Sequence, residues 1–357
     1  MTWLRAGTTR HRALAVLLVL IIVVAVTTNV FGDRLLDRIV TVMFIDLILV
    51  LGFQVFSGNS GLLSFAQIGF MGIGAYTSAI FTMTVEAKGF AIPDLYPFLV
   101  PVQLPFIAAV FVGAVVGTLV AAAISFPIMR LSDAASVIST FALLVILHVV
   151  LAHWSALTNG PRVVFGLLPY TDLPTATLWA LVFVAAAWAF KHSSLGLKLR
   201  ASRDSEFAAA TIGLNVVRLR WTAFIVSAFV CAFAGGLWAH FITSFSPQAF
   251  YLTRTFLILT MLIVGGPRTV SGAVAGTFIV TVAFETLRTM ESTINLERLL
   301  PFQLVGLTEI VLAIGLIVVL AVRPGGLIQE REILAGPAGP RAEPVGPPGL
   351  EPAGESR

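Results

Sequence analysis

Residues 39–80 read IVTVMFIDLILVLGFQVFSGNSGLLSFAQIGFMGIGAYTSAI, and this stretch decides the fold. It contains one apolar run, 39–57, and most of a second, 61–85. Each run is long enough for a helix across about 30 Å of hydrocarbon, which takes about 20 residues. Only Gly58, Asn59 and Ser60 separate the two runs. This short connection predicts a broken or re-entrant helix near residues 57–61.

The same apolar pattern covers most of the 357 residues. Hydrophobic residues make up 58% of the chain and charged residues 11%, whereas soluble domains carry about 25% charge. A water-soluble protein is therefore excluded, and a single cysteine excludes a disulfide scaffold. We predict an all-α, polytopic transmembrane helical bundle of about ten spans, within a range of about 8–10. The stretches are 13–31, 39–57, 61–85, 104–126, 134–153, 175–190, 221–243, 252–267, 270–288 and 302–322, with a second break predicted near 265–270.

The charges outside these stretches predict the orientation. Arg5, Arg10 and Arg12 precede the first span, which is typical of an uncleaved signal anchor. Basic residues concentrate in the loops that share a side with the N-terminus, so both termini are predicted to be cytoplasmic. The net charge of +4 is thus a topology signal, and nucleic acid is not an expected partner. We expect a transmembrane domain over 1–334 and a disordered Pro/Gly-rich cytoplasmic tail over 335–357.

Motifs of catalysis are missing from the sequence. It contains no GxxxxGK[ST] phosphate loop and no HExxH zinc motif, so we expect neither ATP hydrolysis nor other catalysis, and no metal or cofactor, in this chain. The five histidines are scattered and are interpreted as packing residues. Asp46 has no basic residue near it in the sequence, and a buried carboxylate inside a span is a functional candidate. One hypothesis is therefore a secondary transporter or channel that uses Asp46 as its coupling site.

Two stretches stand apart from this apolar background. Residues 58–80 are rich in glycine, serine and other polar residues, which suits either a helix that lines a solute pathway or tight helix packing. Residues 191–220 form the longest charged loop predicted on the cytoplasmic side. Within it, Asp204, Glu206 and the alanines after them predict a short helix that Gly213 ends. Such a helix could transmit force from a soluble partner, or could be a solvated connector.

At these two stretches the sequence resembles the permease subunits of bacterial branched-chain amino acid ABC importers, of the LivM/LivH type. The glycine-rich motif of that family is matched by Gly61, Ser64, Phe65, Phe70, Ile73, Gly74, Ala75 and Tyr76, with Ala66 where glycine is usual and Gln67 at a His/Gln position. Its coupling-helix region is matched by Arg200, Arg203, Asp204, Glu206, Ala208, Ala209, Gly213 and Asn215. Further similarity covers residues 223–247, 262–276 and 323–327. Compared with the general importer motif EAAxxxG, Phe207 displaces the alanines by one position.

The resemblance implies an importer in the bacterial inner membrane that works by alternating access. Its other parts would be two cytoplasmic ATPase subunits that use ATP and Mg, a second permease chain, related or identical, and an extracytoplasmic solute-binding protein. The substrate would be a branched-chain or other amino acid, an amide or urea. The implied pathway residues are Gly61, Ser64, Gln67, Gly74 and Tyr76. The implied ATPase-coupling residues are Arg200, Arg203, Asp204, Glu206, Ala208, Ala209 and Gly213.

Overall fold

A computed structural model of the chain describes residues 2–131, 133–296, 306–323 and 325–328, with side chains from residue 12 onward. Within these ranges the chain is helical, and the one β-bridge joins Val164 to Phe245. The predicted tail 335–357 lies outside the described residues. The helices are α1 (Thr2–Phe31), α2 (Arg34–Phe53), α3 (Gln67–Thr82), α4 (Val85–Ala91), α5 (Phe106–Ile128), α6 (Asp133–His153), α7 (Ser155–Thr158), α8 (Leu173–His192), α9 (Ser194–Asp204), α10 (Glu206–Thr211), α11 (Val216–Ile242), α12 (Leu252–Gly265), α13 (Val270–Leu296) and α14 (Leu307–Val322).

Each of the ten predicted spans overlaps a helix, although residues 302–305 of the last one lie outside the described residues. In the described ranges, eight helical segments are long and apolar enough to cross a membrane. The other two predicted spans correspond to α3 and α14, with 16 residues each. The third predicted span began too early, because residues 61–66 are not helical and α3 starts only at Gln67. The predicted all-helical membrane bundle is confirmed.

The centre of the bundle consists of α2, α3, α5 and α11. Helix α2 is buried from Met43 to Phe53, where Asp46 is its one charged residue, as expected of a helix surrounded by other helices. Small residues let the central helices approach closely. An ideal Cβ on Gly113 would lie 2.7 Å from the carbonyl oxygen of Gly74, and one on Gly235 would overlap the carbonyl oxygen of Met71.

The periphery of the bundle is apolar and exposed. Val23 on α1 is 50% exposed, and Ile138 on α6 and Ile317 on α14 are exposed further. Apolar side chains on this outer surface fit contact with lipid, where every backbone polar group is already satisfied within its own helix. The two ends of the bundle differ in structure. We call the end that carries α9 and α10 the loop end, and the opposite end the cavity end.

Candidate functional site

The first helix break lies at the loop end, where the sequence predicted it. Helix α2 continues into a π-helical turn, Gln54–Gly58, and helical structure stops at Ser60. Gly61 has a φ of +79°, a left-handed conformation that favours glycine. Single π-helical turns are frequent at functional sites. The break therefore combines a π-helical turn with a glycine in the left-handed conformation.

The second break separates α12 from α13 and is also confirmed. Gly266 has a φ of +119° between the two helices. The chain near its C-terminal end covers this break, because the amides of Leu327 and Ile328 donate to the carbonyl oxygens of Val264 and Gly265, each at 2.9 Å. These bonds satisfy carbonyl groups that the end of a helix leaves without partners. Leu327 and Ile328 thus close the end of α12.

One arginine of the loop connects to both breaks. The Arg203 guanidinium donates from Nη1 to the carbonyl oxygen of Gly58 at 2.9 Å, and its methylene groups lie against Gly61. Gly58 in turn packs on the second break so tightly that a Cβ there would overlap the carbonyl oxygen of Pro267. Arg203, Gly58 and Pro267 therefore form one continuous contact from α9 to both broken helices.

Buried polar side chains surround the first break. The side-chain polar atoms of Gln54, Ser57, Ser64 and Gln67 are buried and have no hydrogen-bond partner among the described residues. Asn59 donates to the carbonyl oxygen of Val55 at 3.0 Å. Buried polar atoms without partners are uncommon and call for an explanation such as a water or a ligand. Sequence reasoning found Ser64 and Gln67 but missed Gln54, although a glutamine inside a membrane span is itself a signal.

The five predicted pathway residues do not form one cluster. Gly61, Ser64 and Gln67 lie at the first break, whereas Gly74 lies about 10 Å further along α3 than Gln67, at 1.5 Å per residue. A Cβ on Gly74 would overlap the carbonyl oxygen of Ala232 in α11, so the neighbours of Gly74 are those of a helix–helix contact. Tyr76 packs edge-on against Phe245 at 5.0 Å between ring centroids, and its buried hydroxyl has no partner in the described part of the chain.

The charged loop folds into two helices rather than one. Ser193 caps α9 by accepting a hydrogen bond from the amide of Gly196 at 3.2 Å, and Ser205 caps α10 by accepting one from the amide of Ala208 at 3.2 Å. Such caps fix where helices begin. Asp204 is the last residue of α9, which corrects the expectation that it starts the short helix. Gly213, with a φ of +82°, follows α10 as predicted.

Helix α10 contacts the bundle on one side and has exposed side chains on the other. Glu206 accepts a hydrogen bond from Arg220 Nη2 at 2.9 Å, and Asp133 accepts one from the same nitrogen at 3.1 Å. Ala209 is buried beneath the helix, while Phe207 is 85% exposed and Ile212 is 74% exposed. The displaced position of Phe207 in the family motif therefore places a large apolar side chain on the surface.

A basic pocket of about 250 Å3 lies between α9 and the second break. Arg200 belongs to it and donates to the carbonyl oxygen of Lys191 at 3.0 Å. Arg203 pairs with Asp204 at 3.3 Å. The pocket therefore gathers several of the predicted coupling residues; its lining residues are Lys191, Arg200, Arg203, Asp204 and Arg268.

The cavity end contains a larger cavity, of about 570 Å3, between α2, α11, α12 and α13. Asp46 and Arg254 form a salt bridge in its wall. Asp46, which has no basic residue near it in the sequence, is thus paired with an arginine that lies 208 positions away. Glu285 and Arg288, three residues apart on α13, pair at 3.8 Å and also line this cavity.

Comparisons with known proteins agree with this architecture. Residues 35–320 match the family model described as the permease component of the branched-chain amino acid transport system. The chain is 26% identical over 311 residues to the high-affinity branched-chain amino acid transport system permease protein LivM of Escherichia coli K12, covering 76% of this chain and 68% of that protein.

Other relatives carry a different substrate in their names. The guanosine ABC transporter permease protein NupQ of Bacillus subtilis is 27% identical, covering 59% of this chain and 69% of that protein. The nucleoside ABC transporter permease protein NupC of Lactococcus lactis is 25% identical, covering 59% and 69%. No solved structure matches the chain. Because the family model matches most of its length, this multi-pass membrane protein belongs to the family of permease components of branched-chain amino acid transport systems.

Proposed function

We propose that this chain is the membrane-spanning subunit of an ABC importer that moves an amino acid or a related small solute across the bacterial inner membrane. The observation that carries the proposal is the contact of Arg203 with the first break, through which α9 meets both discontinuous helices. Family membership supports an ABC permease. The relatives are named as permeases for either branched-chain amino acids or nucleosides. For this chain, the proposed substrate is an amino acid.

The ATPase subunits would dock on α10. Exposed apolar side chains mark surfaces that bind other proteins, and α10 presents the exposed side chains of Phe207 and Ala208, followed by that of Ile212 just after its end. Large aromatic side chains are frequent anchors at protein interfaces. Glu206 and Arg220 hold α10 to the bundle, so a displacement of α10 would be passed to α11.

Movement would then reach the membrane helices along α9. Because Arg203 contacts Gly58 and Gly58 contacts Pro267, α9 cannot shift without disturbing the ends of both α2 and α12. Packed interfaces respond to small shifts by changing between discrete arrangements. Ser64 and Gln67, together with Gln54, would offer polar partners to the solute as it passes the first break.

The complete importer would contain two cytoplasmic ATPase subunits, a second permease chain and an extracytoplasmic binding protein. ATP and Mg would bind to the ATPase subunits, and this chain would need no cofactor of its own. Both of its termini would be cytoplasmic, which places α9 and α10 on the side of the ATPases. The alternative of a secondary transporter loses its main support, because Asp46 is paired with Arg254.

Purification of the complex from native membranes, followed by uptake in proteoliposomes, tests the proposal. We expect ATPase subunits to co-purify with the tagged full-length chain. Uptake of labelled leucine, with the binding protein supplied, should require Mg-ATP and should stop when a non-hydrolysable ATP analogue replaces it. Uptake of any solute by the chain without ATPase subunits, driven by a proton gradient and abolished by Asp46→Asn, would overturn it in favour of a secondary transporter.

A further inference from the structure

The cavity between α2, α11, α12 and α13 has the features of a binding site. Its volume of about 570 Å3 falls within the range of roughly 300–1,000 Å3 typical of small-molecule sites. Its apolar lining includes Val42, Trp238, Leu257, Met261 and Phe284. Such a wall would accept an apolar side chain and would not by itself fix the orientation of a ligand.

The charged part of the wall is a buried ion pair. The side chain of Asp46 is 4% exposed and that of Arg254 is 16% exposed. The Arg254 guanidinium also lies 5.5 Å from the centre of the Trp238 ring, a cation–π contact that orients it. Arg254 Nε is buried and has no hydrogen-bond partner among the described residues. One donor of the pair therefore has no partner in the described part of the chain.

Thr281 is a second residue of the cavity wall that has an unpartnered polar atom. Its neighbours on α13 use their hydroxyls within the helix, since Thr277 donates to the carbonyl oxygen of Ala273 at 2.8 Å and Thr286 to that of Val282 at 2.7 Å. This back-bonding is what threonine usually does inside a helix. Thr281 Oγ1 is buried without a partner in the described part of the chain and lies on the cavity.

The mouth of the cavity carries further charges. Glu285 and Arg288 on α13 pair at 3.8 Å, with Arg288 69% exposed, and Arg38 on α2 is also exposed and lines the cavity. Together with Asp46 and Arg254, the cavity thus presents three arginines and two carboxylates. The cavity wall therefore combines apolar side chains with side chains of both charges, in nearly equal numbers.

We propose that this cavity binds a small zwitterion with an apolar body, whose carboxylate is held by Arg254 and whose ammonium is held by Asp46. The proposal rests on the proposed importer function and assigns a solute site to it. When a zwitterion binds between the two side chains, its carboxylate pairs with Arg254 in place of Asp46, and its ammonium group pairs with Asp46 in place of Arg254. Neither side chain is then left as an uncompensated buried charge. A ligand with one charge would leave one of them unpaired, and an uncharged nucleoside would leave the pair unused.

Equilibrium binding to the purified complex, without the binding protein, tests the proposal with labelled leucine as the probe. We expect saturable binding at up to millimolar leucine. Two analogues of the same shape, 4-methylpentanoate and 3-methylbutylamine, each lack one charge and should compete at least about ten-fold more weakly than leucine, a difference of about 1.4 kcal/mol. Guanosine should not compete.

A matched pair of variants tests the location. Leu257→Trp fills the cavity from its half-buried wall, whereas Leu119→Trp makes the same change on α5 at a residue that is 64% exposed. We expect the first to weaken leucine binding at least ten-fold and the second to leave it unchanged, with equal thermal stability of both complexes. If Leu257→Trp lowers stability, the double variant Asp46→Asn/Arg254→Gln, which removes both charges, gives the same test.

The possible failures are distinguishable. Absence of saturable leucine binding, equal competition by the singly charged analogues, or unchanged binding in both cavity variants would each overturn this proposal. If ATP-driven uptake by the complex persists at the same time, the importer function stands and the solute binds elsewhere. If uptake is independent of ATP although leucine binds in the cavity, the site stands and the importer function fails.

Discussion

At the loop end α2 and α12 stop, and the two helix breaks pack against each other where Gly58 contacts Pro267. At the cavity end the same two helices begin, at Arg34 and Leu252, and line a cavity of about 570 Å3. At the first break the Arg203 guanidinium donates to the carbonyl oxygen of Gly58, whereas in the cavity wall Asp46 pairs with another side chain, Arg254. Because α2 and α12 reach both ends, they are the elements that connect a docking surface to a solute site.

The largest expected effect lies at the cavity end. Asp46→Asn should destabilise the chain by about 3–5 kcal/mol, because Arg254 is left as an uncompensated buried charge. Asp46→Asn/Arg254→Gln should recover most of that loss, since no charge remains. The thermal midpoint of the detergent-solubilised chain measures both. Equal loss in the single and double variants would show that the pair is not coupled.

At the loop end, the tight contact itself is the target. Gly58→Ala should cost about 1–3 kcal/mol through overpacking, because its methyl group overlaps the carbonyl oxygen of Pro267. Gly89→Ala is the control, since no atom lies within 4 Å of its new methyl group. Thermal midpoints should fall for the first variant only. Equal midpoints would mean that the two breaks are not in firm contact.

A smaller effect is expected at the docking surface. Phe207→Ala should weaken association with the ATPase subunits about ten-fold, as loss of an aromatic anchor commonly costs 1 kcal/mol or more. Phe90→Ala, on α4 and 77% exposed, removes a similar surface side chain elsewhere. The amount of ATPase that co-purifies with each variant measures the difference. Equal recovery from both variants would place the docking surface away from α10.

The smallest effect is expected from the ion pair beneath α10. Glu206→Gln should cost about 1 kcal/mol or less, because the carboxylate is half-exposed and exposed ion pairs are weak. Asp133 also remains beside Arg220 at 3.1 Å. We expect unchanged stability and a two- to three-fold loss of ATP-driven uptake, as α10 is held less firmly. A large fall in thermal midpoint would contradict this.

Local sequence signals predicted the loop end well. Glycines and a three-residue connection marked the first break, and Gly265 and Gly266 marked the second, because glycine is needed where φ is positive. The short helix followed from its alanines and from Gly213. The boundary at Asp204 was missed, since Ser205 is the residue whose side chain caps α10.

The cavity end depends on contacts that local patterns do not contain. Asp46 and Arg254 are 208 positions apart, and nothing near Asp46 in the sequence indicates an arginine partner. Gln54 was overlooked because it lies inside the apolar run 39–57, which otherwise has the composition of an ordinary membrane span. Gly74 was predicted to line the pathway but lies against another helix. A glycine next to a helix and one next to a solute cannot be distinguished from the sequence alone.

The most direct test of the account compares ATP hydrolysed with leucine taken up in one proteoliposome preparation. Arg203→Ala removes the contact between α9 and the first break, and Arg218→Ala removes an exposed arginine next to the same loop. The account predicts that the Arg203→Ala complex still hydrolyses ATP while its uptake per ATP falls at least ten-fold, and that Arg218→Ala matches the wild type. An unchanged ratio of uptake to hydrolysis in Arg203→Ala would contradict it.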